Sequence, residues 1–227
     1  MAYESDYIKR SFSFISVLVT RLVAMVRDGY TDVAKREISE IYSEFFGLPP
    51  TLLHFFPVDE IVYMLSTSDE RDKERVLSLA ELLKLEGEIY QNEKDFEEAQ
   101  WRFDLALELL VEGTAGASSA RTLELIERFQ PVVRFSIGNE IALVLLADLY
   151  RLYADSGHFG LAMELLTAFI AADEAHDEGK KEAATYCLDL LNKSDAELKD
   201  GGVSRQEIKN ALQQVNKFAN PLETELK

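Results

Sequence analysis

Residues 80–113 read AELLKLEGEIYQNEKDFEEAQWRFDLALELLVEG, and this stretch decides the fold. Apolar residues recur every three or four positions on both sides of the polar break Asn92-Glu93-Lys94-Asp95, the periodicity of helices rather than strands. The pattern predicts a long helix from about Asp69 to Gln91 and a partner from Phe96 to about Glu112. Asp95, followed three residues later by Glu98, is a capping pair for the partner. So short a break makes the two helices antiparallel neighbours.

Within this stretch Gly87, Tyr90, Phe96, Ala99, Phe103 and Ala106 fall at the spacings of the tetratricopeptide signature, in one 34-residue unit. The stretch therefore resembles a tetratricopeptide hairpin. Small Gly87 and Ala99 let the crossing helices approach closely, while Tyr90, Phe103 and Ala106 fill the hairpin interior and the contact with the next unit. Leu83 stands where tryptophan is usual and Val111 where proline is usual. A second, weaker unit from about Leu143 to His176 matches through Leu146, Leu149, Tyr153, Gly157, Phe159 and Ala162. The layout also resembles an uncharacterised bacterial family, through Asp6-Tyr7-Ile8, Phe46-Gly47-Leu48 and the hairpin from Gly87 to Ala106. What these resemblances imply is an all-α fold: a short tetratricopeptide-like helical-hairpin solenoid with an N-terminal helical segment. They also imply a groove lined by the first helix of each hairpin, which receives peptides or partner helices. The groove positions are Glu81, Lys84, Glu88 and Gln91 on the first unit, and Val144, Ala147, Arg151 and Ala154 on the second. A grip on a partner's C-terminal carboxylate is not expected, because Glu88 stands where asparagine is needed and its charge repels that ligand.

Outward from the hairpin, Ile8, Phe12, Ile15, Val19, Leu22 and Val26 alternate at four and three residues, predicting a helix over 6–28 with a heptad-like seam. That seam suits an intramolecular neighbour and also a second copy of the chain, making a homodimer through this helix. Asp28-Gly29 stops it, a second helix follows over about 31–46, and Gly47-Leu48-Pro49-Pro50 breaks the chain again. Short helices are expected at 51–55 and 58–66, and others at 119–129, 139–156, 159–173, 178–193 and 204–218, with Ser204 and Glu207 capping the last. The glycine- and serine-rich run 113–119 lacks the Gly-Lys-Ser/Thr ending of a phosphate-binding loop and reads as a connector. The expected organisation is an N-terminal helical segment over 1–66, helical hairpins over 67–200, and a capping helix with tail over 201–227.

A formal charge of −17 opposes binding to nucleic acid and to anionic membranes. It suits solubility first and a basic partner second. Phe12 to Val19 is apolar, but Arg10, Arg21 and Arg27 bracket it too closely for a membrane span. One cysteine, Cys187, cannot form an internal disulfide, which points to a reducing, cytoplasmic setting, and its apolar helical surroundings predict a buried, inert thiol. His54, His158 and His176 are scattered. Only His176, among Asp173, Glu174, Asp177 and Glu178, has a metal-like neighbourhood, and metal sites normally draw ligands from several elements. Neither a metal nor a cofactor is expected. No nucleophile–base–orienter set can be assembled from fixed spacings, so the expected function is a non-enzymatic protein- or peptide-interaction module. The alternative is a regulatory sensor that encloses a small molecule or short peptide among its aromatic residues.

Overall fold

The computed structural model describes residues 17–65, 70–115, 120–139, 141–172 and 177–219, and all regular structure among them is helical. The chain divides into two compact units, 1–136 and 137–227. The first carries α1 (17–27), α2 (Thr31–Ile41), α3 (Pro50–Leu53), α4 (Val58–Leu65), α5 (Glu70–Glu93), α6 (Phe96–Thr114) and α7 (Ala120–Ile137). The second carries α8 (Leu143–Asp155), α9 (Phe159–Ala172), α10 (Asp177–Leu191), α11 (Asp195–Asp200) and α12 (Arg205–Ala219).

The central element of the first unit is α5. Val76, Leu79, Ala80, Leu82, Leu83, Leu85 and Ile89 are all buried, and they cover the helix surface except for the polar stripe through positions 84, 88 and 91. A helix apolar over so wide an arc needs several neighbours. It pairs along its length with α6, while α2 and α4 also pack on it. Gly87 sets the spacing of the α5–α6 pair: a Cβ added there would lie 2.5 Å from Cε1 and 2.6 Å from Cδ1 of Phe103. The Phe103 ring is in turn held edge-on by Phe135 of α7, with centroids 5.1 Å apart. Asp95 caps α6 as its spacing predicts, accepting a hydrogen bond from the Glu98 backbone N–H at 3.3 Å. Glu98 does not complete the capping box, because its carboxylate is turned to Trp101 and Arg102.

Two departures from the sequence pattern have local causes. Residues 130–137 are helical although Pro131 lies inside the segment. The proline is exposed, and Val132, Val133 and Ser136 behind it are buried, so packing of that face offsets the one backbone donor that proline lacks. After α2 the chain widens into a π-helical turn, Tyr42–Phe46, that ends on Gly47 at φ +68°. This extra residue per turn brings both Tyr42 and Phe46 into the core.

In the second unit α8 and α9 form a hairpin, and α10 packs with α12. Tyr153, Leu149, Leu165 and Leu166 fill the hairpin, and the Tyr150 and Tyr186 rings meet edge-on at 5.2 Å. The start of α9 crosses the turn between α11 and α12 so closely that Gly160 N–H donates to the Gly201 carbonyl at 2.8 Å. The short α11 opens on a full capping box between Ser194 and Glu197, and Ser204 and Glu207 exchange the same bonds at the head of α12. Asp6-Tyr7-Ile8 and half of the N-terminal seam (Ile8, Phe12 and Ile15) lie outside the described residues, as does His176.

Candidate functional site

The predicted groove stripe lies on one side of α5, since positions 81, 84, 88 and 91 fall within one helical face. The four side chains meet different fates. Glu81 is buried, and its Oε1 lies 2.6 Å from a guanidinium nitrogen of Arg128 on α7. Lys84 pairs with Glu88 one turn on, the lysine the more buried of the two. Gln91 is half-exposed beside them. So α7 closes the Glu81 end of the stripe, and Lys84, Glu88 and Gln91 form its open end. Arg151, from α8, is half-exposed and forks onto Glu182 of α10, with Nε and the second guanidinium nitrogen 2.9 and 3.0 Å from the two carboxylate oxygens. That bond to Glu182 is the main reason its proton affinity rises, burial opposing it.

On the opposite side of α5 the structure assembles a cluster that the stripe reading passes over. Arg102 of α6 is 5% exposed and meets Glu86 of α5 through two nitrogens, at 3.0 and 3.1 Å. Tyr42 donates at 2.8 Å to Glu86 Oε2, the oxygen that Arg102 Nε also faces. Arg102 also donates to the Glu98 carboxylate and, at 2.9 Å, to the Glu98 carbonyl. Its guanidinium carbon lies 4.0 Å from the Tyr90 ring centroid and 4.2 Å from that of Trp101. Trp101 donates to Glu98 at 3.0 Å, and its ring meets that of His54 with centroids 3.6 Å apart. Lys35 reaches Glu93 and sits 4.1 Å over Tyr90.

The electrostatics of this cluster follow from burial balanced by pairing. Burial pushes the Tyr42 hydroxyl well above its ordinary range, and the neighbouring Glu86 charge pushes it further. For Arg102, burial alone would favour the neutral form, but the bonds to Glu86 and Glu98 outweigh it and raise its proton affinity. The Trp101 N–H, followed by Arg102, holds the Glu98 carboxyl below the usual carboxylate range. The Tyr42 phenol is therefore held neutral, and the Arg102 guanidinium and Glu98 carboxylate are held charged. Such a cluster ties α2, α5 and α6 together.

The sequence carries a signal for this cluster. Arg102 shares a helical face with Ala99, Phe103 and Ala106, and Glu86 shares one with Leu82, Leu83 and Ile89, so both are charges on faces that must be buried. Elsewhere, His158 stacks near Tyr153 at the α8–α9 turn, centroids 5.9 Å apart. Cys187 is fully buried, and burial pushes its thiol up to about 11. Tyr150 is pushed up to about 12, by burial and then by Glu182, and Tyr186 is raised by burial too. Among the described residues no group of three or more histidine, cysteine, aspartate or glutamate side chains is placed to hold a metal ion, and no helix is long and apolar enough to cross a membrane.

Fold and site together define an all-helical protein built on a tightly crossed hairpin with an ion-paired interior. The chain belongs to a family of unknown function, DUF6483, whose model matches residues 2–220. No curated protein matches the chain, and neither does any solved structure.

Proposed function

We propose that the protein is a non-enzymatic protein- or peptide-interaction module, a cytoplasmic scaffold or adaptor that receives its partner along a helical groove. The observation that carries this reading is the open end of the α5 stripe. Lys84, Glu88 and Gln91 form a polar edge on a helix whose middle is otherwise buried, backed by the ion-paired α5–α6 hairpin. A surface held this firmly loses little conformational freedom on binding, so contacts made to it convert efficiently into affinity. The similarity to tetratricopeptide hairpins supports the same use of the first-helix face, with Arg151 as the corresponding charged position on α8. A second copy of the chain is a further partner for α1, where Val17 and Val23 are exposed.

The test is affinity capture from the native host's lysate with mass spectrometry, using a Glu88→Lys/Gln91→Ala variant as control. Stoichiometric recovery of one protein, lost in the variant, supports the module and places its surface. Recovery of the bait alone, or of a partner held equally by the variant, overturns the groove reading. Light scattering reads the self-association arm separately, and a single 25.7 kDa species at high micromolar concentration removes it.

A further inference from the structure

Beside the hairpin, α4 packs on both α5 and α6, and the segment after α3 joins it through the His54 ring on Trp101 of α6. The segment is anchored by Leu53, Ile61 and Leu65, all buried, and by the His54 ring against Trp101. Its outward side is unusual. Phe55 is 79% exposed and Tyr63 82%, with Met64 also exposed. Large apolar side chains scattered singly over a surface are ordinary, but several from one short segment mark a place where something docks.

The charge around them is one-sided. On α4, Asp59, Glu60, Tyr63 and Met64 stand at i, i+1, i+4 and i+5, so two exposed carboxylates share one helical face with the exposed aromatic ring. Glu97, exposed in the first turn of α6, adds a third carboxylate one turn before Trp101, the ring that His54 covers. Lys73, near the start of α5, is the exposed cation nearest to α4 in sequence, and its ammonium donates to the Ala115 carbonyl. The whole chain carries −17, so its distant field favours the same sign of partner.

From this juxtaposition we infer that the α3–α4 layer is a docking surface for a basic amphipathic helix of a partner protein. The helix lays apolar side chains against Phe55, Tyr63 and Met64 and sets lysine or arginine beside Asp59, Glu60 and Glu97. Exposed aromatic faces flanked by carboxylates attract a guanidinium or ammonium group twice, through the ring quadrupole and through the ion pair. An anionic membrane surface does not fit, because the same carboxylates repel it. This surface shares no residue with the Lys84–Gln91 edge, so each stands or falls by its own variants.

The chain supplies its own probe. Trp101 is the single tryptophan and lies against His54 beneath the segment, so occupancy of the layer changes its emission. The experiment titrates the full chain with a fluorescein-labelled synthetic helix of leucine and lysine in amphipathic order. Anisotropy and Trp101 fluorescence are both read, with a scrambled peptide of identical composition alongside. Phe55→Ala/Tyr63→Ala and Glu60→Lys/Glu97→Lys variants are compared with Glu88→Lys/Gln91→Ala. All of these are surface substitutions, and far-UV circular dichroism verifies that helicity is kept. The expected result is saturable one-to-one binding, at least tenfold weaker for the first two variants and for the scrambled peptide, and unchanged for the third. Equal binding by all variants or by the scrambled peptide shows only diffuse charge attraction and overturns the inference. So does an absence of binding, or a chain dimer that Phe55→Ala/Tyr63→Ala dissolves.

Discussion

Replacing Gly87 with alanine tests the tight helix crossing on which this architecture depends. In an exposed helix interior the change stabilises by about 0.8–1 kcal/mol, because glycine carries the larger entropy cost of ordering. Here the new Cβ would sit 2.5, 2.6 and 3.1 Å from three atoms of the Phe103 ring. Those atoms must retreat by roughly 1 Å to reach ordinary van der Waals contact. The ring has little room, being 1% exposed and held edge-on by Phe135. Overpacking of this kind costs about 1–3 kcal/mol. The opposing terms leave a net loss of about 1 kcal/mol, which for a chain of this size lowers Tm by roughly 2–4 °C. The assay is thermal unfolding followed by circular dichroism, on Gly87→Ala, Phe103→Leu and the double variant. The double variant is expected to be more stable than the sum of the singles predicts, because leucine leaves space for the Cβ. A Gly87→Ala protein as stable as the parent, or strict additivity across the cycle, refutes the close approach of α5 and α6.

Three further outcomes are expected. Arg102→Met leaves the Glu86 carboxylate buried without its cation and lowers stability by about 3–5 kcal/mol, and adding Glu86→Gln recovers part of that loss in urea titrations. Asp104 and Glu108, one turn apart on α6, are both raised above the ordinary carboxylate range, chiefly by burial. A raised carboxyl favours the fold below its unfolded pKa, and that contribution is lost as pH rises through the folded value, so Asp104→Asn is expected to be more stable than the parent at pH 7 and no more stable at acid pH in calorimetry. Cys187, buried with its thiol pushed up to about 11, reacts with a chromogenic disulfide reagent at pH 8 at least roughly 100-fold more slowly in the native chain than in urea.

Much of the fold is legible from residues that act locally. Asp28-Gly29, the Asp95 cap and the Ser204/Glu207 pair end or begin helices where their chemistry dictates, through bonds to backbone a few residues away. Pro131 shows the limit. As a local signal it stops a helix, yet the buried Val132, Val133 and Ser136 carry α7 past it, and that packing belongs to residues distant in sequence. The candidate site divides in the same way. Helical spacing puts Glu81, Lys84, Glu88 and Gln91 on one face, but only the arrival of Arg128 from α7 decides that Glu81 is closed while its neighbours stay open. The Tyr42–Glu86–Arg102 cluster joins three elements across 60 residues of chain, so its members declare themselves singly, as charges on faces that must be buried, while their partnership does not.

The central claim is that a partner binds along the Lys84–Gln91 edge. Its most direct test is a calorimetric titration of the captured partner into the parent chain and into Glu88→Lys/Gln91→Ala. The account predicts a one-to-one isotherm for the parent and at least tenfold weaker binding for the variant, which keeps its helicity although loss of the Lys84–Glu88 pair lowers its Tm slightly. Equal affinities for the two proteins would contradict it.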